Sequence, residues 1–164
     1  MGVTVLQPYP VPADKTAPQT IELIQRRIVN LGAKITEQFL VDCETYISTQ
    51  NLGLATPKTL NVLHNSEQPA TVFSVLEQPS NKLITFSSDT LFDLLLLKLS
   101  NVYTKKYKIE SKGQRYEIGD FLVKLGLVSV SGSCKGILVE IEYLPCCVVA
   151  SCWTLIHEFM QGFL

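Results

Sequence analysis

The sequence predicts an α+β fold: a mostly antiparallel, β-barrel-like sheet with about three flanking helices. Short β-branched and apolar runs recur between turns that carry Gly, Asn or Pro. Three segments have helical periodicity, and whole groups of strands separate them, whereas a parallel sheet would need strand and helix to alternate. At least seven strands in 164 residues invite closure into a barrel, which removes exposed edges. The length suits a single domain, 1–164, and a chain of this size can bury roughly 70% of its unfolded surface without a disulfide or metal to hold it.

The elements follow in order. Gly2 to Leu6 is β-branched and apolar, a first strand, and Pro8, Pro10 and Pro12 extend the chain beyond it. Thr16 and Pro18 open a helix over Gln19–Leu31, with Ile21, Ile24, Ile28 and Leu31 on one face and Gly32 at the left-handed cap. Strands are expected at Gln38–Ser48, Thr59–Asn65, Ala70–Glu77 and Lys82–Phe86. A surface loop is expected at Thr49–Lys58 and a turn at Gln78–Asn81. Ser88 and Asp89 can cap a helix beginning near Leu91. That helix, with Leu91, Phe92, Leu94, Leu95, Leu96, Leu97, Leu99 and Val102, is apolar on nearly every face, so burial on more than one side is expected.

Tyr107–Lys112 alternates, Gly113 is placed at a turn, and Arg115–Leu125 returns as the second arm of a basic hairpin. Gly126 marks a bulge or bend before Leu127–Val130. After a loop at Ser131–Lys135, Ile137, Val139, Ile141 and Tyr143 share one strand face, opposite Leu138, Glu140 and Glu142. Pro145 ends this strand, and a last helix over Ser151–Phe163 carries the stripe Trp153, Ile156, Phe159, Met160 and Phe163.

Composition excludes several classes. The net charge is −1, from 14 basic and 15 acidic residues, so no global field exists to grip a nucleic-acid backbone. Six basic residues cluster in Tyr103–Lys124 among Tyr103, Tyr107 and Tyr116, but no base-reading motif accompanies them. Apolar residues make up 46% and charged residues 18%, with mean hydropathy +0.21. That surplus argues against disorder and for an apolar surface awaiting a partner. The longest apolar stretch, around Leu94–Leu97, is too short to cross a bilayer. The N-terminus lacks a secretory pattern, and Leu6 stands where a myristoylation signal needs Ser or Thr. Five cysteines without framework spacing suit reduced thiols inside a cell.

No catalytic constellation is expected, and no metal or cofactor. Adjacent Cys146 and Cys147 would point to opposite faces of a strand. Cys152 and His157, five residues apart on a helix, diverge by about 140°. His64 and Asp42 are isolated in the sequence. The runner-up reading is chemical. Glu140 and Glu142 share one strand face, as do Lys108, Glu110 and Lys112. Turned into a barrel, they would resemble a triphosphate tunnel metalloenzyme, a metal-dependent phosphohydrolase with E-x-E strands. The leading reading is a binding module that offers a strand edge and an apolar patch. Its expected contact surface is the hairpin Tyr107, Ile109, Lys112, Arg115, Tyr116 and Ile118.

Met1–Thr4, Phe39–Tyr46 (FLVDCETY), Leu63–Glu67, Phe92-Asp93, Lys98-Leu99, Lys108–Leu125, Lys135–Tyr143 and Ala150–Leu164 together resemble the Mediator subunit 20 family, also described as TBP-related-factor-proximal proteins. The resemblance runs over nearly the whole chain. It implies a non-catalytic subunit of the Mediator head module, a nuclear transcription coregulator acting on RNA polymerase II. It implies pairing with Mediator subunit 18, tethering by subunit 8 and contact with other head subunits, and no direct nucleic acid or membrane. Family members are expected to continue beyond Gln161–Leu164 into a linker and a further helix, whereas this sequence stops at Leu164.

Overall fold

A computed structural model describes residues 2–49, 57–78 and 82–164. The strands are β1 (Val3–Tyr9), β2 (Lys34–Ser48), β3 (Thr59–Asn65), β4 (Val72–Glu77), β5 (Leu83–Ser88), β6 (Tyr103–Ile118), β7 (Phe121–Val130) and β8 (Ser133–Tyr143). The helices are α1 (Ala17–Asn30), α2 (Leu91–Lys98) and α3 (Val149–Gln161). The hydrogen-bonded strand order is β1-β8-β7-β6-β2-β3-β4-β5. Among the described residues that ladder is open, with β1 and β5 at its two ends, so the closure expected from strand number is not made. Asn51 and Gly53 of the expected loop, and Pro79–Asn81 of the expected turn, lie outside the described residues.

Two compact units make up the chain: residues 1–39, 111–129 and 133–164 form one, and residues 40–110 and 130–132 form the other. In the first unit β1 pairs antiparallel with β8, from Val3 opposite Tyr143 to Tyr9 opposite Ile137. Pro8 is tolerated inside β1 because an edge strand has amides that need no ladder partner. Val139 and Ile141 are fully buried with Ile24, Ile28, Val123, Leu125, Tyr116, Ile156 and Phe163. The alternation read from β8 therefore faces the core as expected. Rings of Phe121 and Phe159 stack at 4.0 Å between centroids and help seat α3.

Helix α1 ends as its sequence dictates. Gly32 has φ +97°, its amide donates to Val29 O at 2.9 Å, and the Ala33 amide donates to Ile28 O at 3.2 Å. This pair of bonds is a Schellman cap, which needs a left-handed residue after the helix. On α3, Trp153 departs from the expected stripe and stands half exposed.

The expected turn at Gly113 is a correction. Gly113 lies inside β6, one continuous strand from Tyr103 to Ile118, and the chain reverses at Gly119, where φ is +56°. Glycine is needed at 113 for space: a Cβ there would run into the backbone carbonyl of Leu125. Gly126 likewise marks a close approach, to the Ser111 hydroxyl and the Phe39 ring. Tight turning falls instead to Ser131 and Gly132, both at positive φ, between β7 and β8.

In the second unit β3 pairs with β2 and β4, and β4 with β5, all antiparallel. Its core is small: Leu60, Val62, Val72 and Leu96 are buried, with Tyr46, Leu76, Phe92 and Tyr103 packed around them.

Candidate protein-interaction site

Helix α2 is the largest departure from the sequence reading. Only Leu96 is buried. Leu91, Leu94, Leu95 and Leu97 are 64, 55, 48 and 72% exposed. The small core of the second unit takes one face of the helix, through Leu96 and Phe92, and leaves the rest in water. Strand β5 adds Leu83, Ile84 and Phe86, each more than a third exposed, and Phe86 meets Phe92 edge-on at 5.5 Å. Among the described residues β5 pairs with β4. Its segment, Leu83–Ser88, contains no charge and no proline, the usual protections of an edge strand. The N-cap of α2 is Thr90, not the expected Ser88 or Asp89, and the Asp89 carboxylate accepts from the Leu91 amide at 3.0 Å just ahead of the helix.

The six residues expected to form one contact surface are not brought together on a hairpin. All lie on β6, with Tyr107 and Ile109 in the second unit and Lys112, Arg115, Tyr116 and Ile118 in the first. Tyr116 is 1% exposed and donates its hydroxyl hydrogen bond to Gln114 Oε1 at 3.1 Å, whereas Tyr107 is 42% exposed. Burial pushes the Tyr116 phenol up to about 12. Lys112 is exposed, and Ile109, Arg115 and Ile118 are half-buried. The cluster of basic residues is largely neutralised locally. Lys105 pairs with Glu44 at 2.6 Å, Lys108 with Asp42 and Glu110 at 3.1 and 2.9 Å, and Arg115 with Glu117 at 3.1 Å.

Sequence reasoning missed one constellation. His64, on β3, has Nδ1 at 3.0 Å from Asp42 Oδ1 and Nε2 at 3.1 Å from Asp93 Oδ1. Asp42 and His64 are cross-strand partners in the β2–β3 ladder, so register, and not proximity in sequence, joins them. His64 and Asp93 line a cavity of about 490 Å3 with Glu44, Tyr46, Leu96 and Tyr103. Burial pushes the Glu44 carboxyl up, but hydrogen bonds from Lys105 and Tyr46 outweigh it and leave Glu44 below its ordinary value. Burial and the Glu44 contact drive the Tyr46 phenol upward.

The residues of the chemical runner-up are occupied otherwise. Glu140 accepts from Lys124 at 3.1 Å, and Glu142 accepts from the Gly2 amide at 3.0 Å. Cys152 is buried and bonded to Val148 O at 3.5 Å, while His157 is exposed. All five cysteines are free thiols. No group of three or more His, Cys, Asp or Glu side chains gathers to hold a metal ion among the described residues. No described helix is long and apolar enough to cross a membrane.

Similarity to known proteins adds what geometry cannot. The family model described as the TATA-binding related factor (TRF) of subunit 20 of Mediator complex matches residues 1–164. The chain belongs to the Mediator subunit 20 family. Mediator of RNA polymerase II transcription subunit 20 of Anopheles gambiae is 57% identical over 166 residues, covering 100% of this chain and 74% of that one. The human protein of the same name is 43% identical over 169 residues, covering 100% of this chain and 78% of that one. Both Mediator subunit 20 relatives are longer than this chain. Among solved structures, a Pyrococcus horikoshii OT3 protein aligns with TM-score 0.56 and 15% identity, covering 99% of this chain and 90% of that one. A Bacillus halodurans protein provisionally assigned as an adenylate cyclase aligns with TM-score 0.57 and 12% identity, covering 99% and 89%. At such identities these likenesses concern the fold alone.

Proposed function

We propose that this member of the Mediator subunit 20 family is a non-catalytic coregulator of RNA polymerase II transcription that works in the nucleus by docking onto other Mediator subunits. The observation that carries the reading is the uncovered leucine face of α2: Leu91, Leu94, Leu95 and Leu97 all exposed on one short helix. Large apolar patches on a soluble fold mark surfaces that another protein covers. Among the described residues the outer edge of β5 has no strand partner, so a partner protein can add a strand there while its side chains meet the leucines. Subunit 18 is the proposed occupant, and subunit 8 the proposed tether to the head module. Tyr107 and Lys112 are the exposed members of the β6 set and remain proposed partner-binding residues in their own right. The chain is proposed to act as one domain, because β2 and β6 each contribute residues to both units.

Substituting Leu94→Asp and Leu97→Asp together tests the docking face. Both side chains are solvent-facing, so the helix and its core contact through Leu96 should survive. Co-expression with subunit 18 followed by size-exclusion chromatography should lose the complex, with affinity down about 100-fold or more if the pair behaves as buried anchors. Unchanged co-elution by a variant with wild-type circular dichroism would remove this surface.

A further inference from the structure

The geometry points to His64 as a proton-operated latch that fixes α2 to the β2–β3 strand pair, so that the anchoring of the leucine-bearing helix depends on pH. Both ring nitrogens of His64 face carboxylates, Nδ1 at 3.0 Å from Asp42 and Nε2 at 3.1 and 3.2 Å from the two oxygens of Asp93. A neutral imidazole has one N–H and one bare lone pair, and a lone pair aimed at a carboxylate at this distance repels it. Only the imidazolium donates on both sides. Asp42 belongs to β2, His64 to β3 and Asp93 to α2, so one cation ties three elements of the second unit.

The surrounding charges decide which side lets go. From β6, Lys108 reaches Asp42 at 3.1 Å and Glu110 at 2.9 Å, and Lys105 is held by Glu44 of β2 at 2.6 Å. Val72 is the β4 residue opposite His64 and carries no charge. Asp42 is the more buried carboxylate and has Lys108 as a second partner, so it retains the remaining N–H. Asp93, with 44% of its side chain exposed, can exchange its bond for water. Loss of the proton therefore frees the α2 side. Burial pushes the His64 pKa down, but the hydrogen bonds to Asp42 and Asp93 outweigh it and the pKa is raised above 6.5. With the folded value raised, the latch's stabilisation is complete below the unfolded pKa near 6.5 and is lost as pH rises through the folded pKa.

The chain has two histidines, so the His64 ring signals can be assigned by comparing wild type with His64→Gln. Histidine-labelled 15N NMR between pH 5.5 and 9 should show His64 with both nitrogens protonated at the acid end and titrating above the ordinary imidazole value. Hydrogen exchange, corrected for intrinsic rates, should show the amides of Leu95 and Leu99 in α2 and its cap opening several-fold more often at pH 8.5 than at pH 6. His64→Gln should make that opening pH-independent and high, and Asp93→Asn should lower the His64 pKa, because it removes one of the two carboxylates that raise it. A neutral, single-tautomer His64 at pH 6, or wild-type α2 exchange that is flat with pH, would overturn the latch. This readout needs no binding partner, so it stands or falls apart from the docking role.

Discussion

Tyr116→Ala should cost about 4 kcal/mol of stability, the usual range for emptying a buried aromatic position. The side chain is 1% exposed in the core of the first unit, among Val123, Leu125, Val139 and Ile141. Its removal leaves a cavity walled by strands that cannot collapse without breaking their ladder. It also leaves the Gln114 side-chain oxygen without the hydroxyl at 3.1 Å. Most domains hold only about 5–15 kcal/mol in reserve, so the loss should be plain in the midpoint of urea unfolding. Tyr107→Ala, on the same strand but 42% exposed, should change stability by less than about 0.5 kcal/mol. Equal midpoints for the two variants would mean that the inward and outward faces of β6 are misassigned. A charge at Tyr116 would abolish partner binding by unfolding the subunit, so that substitution cannot report on a contact surface.

Gly113→Ala should be nearly as damaging, at about 3 kcal/mol, the upper end of overpacking penalties. The new methyl would press on the Leu125 carbonyl and lie 3.1 Å from the Gly126 Cα. Those atoms are backbone and cannot rotate away, so β6 and β7 must part locally and lose ladder bonds. Gly136→Ala is the matched control, since nothing lies within 4 Å of its added Cβ. That variant should be neutral or slightly stabilising, because alanine loses less backbone freedom on folding. Thermal and urea unfolding of the pair would separate steric exclusion from the general effect of removing a strand glycine. Matching stabilities would refute the close approach.

Much of the fold is legible in the amino-acid sequence. The Gly32 cap, the buried face of Ile24 and Ile28, and the alternation of Ile137, Val139 and Ile141 all follow from local rules, and each is where those rules put it. A turn at Gly113 is the wrong expectation because a glycine that permits close packing and a glycine that permits positive φ look identical in a sequence. A contact surface that includes Tyr116 fails because strand periodicity separates two faces without saying which is wet. The His64 constellation is invisible in the sequence because its partners lie 22 and 29 residues away and meet it only through strand register and the seating of α2.

By itself, the sequence determined the element types, the antiparallel character, the absence of a catalytic signature and the family, since periodicity, capping and the order of motifs are properties of the chain read locally. The tertiary structure alone decided that the ladder stays open, that most leucines of α2 face water, and that one histidine is shared by two aspartates. Each depends on how much core there is to cover an apolar face and on which side chains the ladder sets opposite one another. Those quantities exist only once distant segments have met.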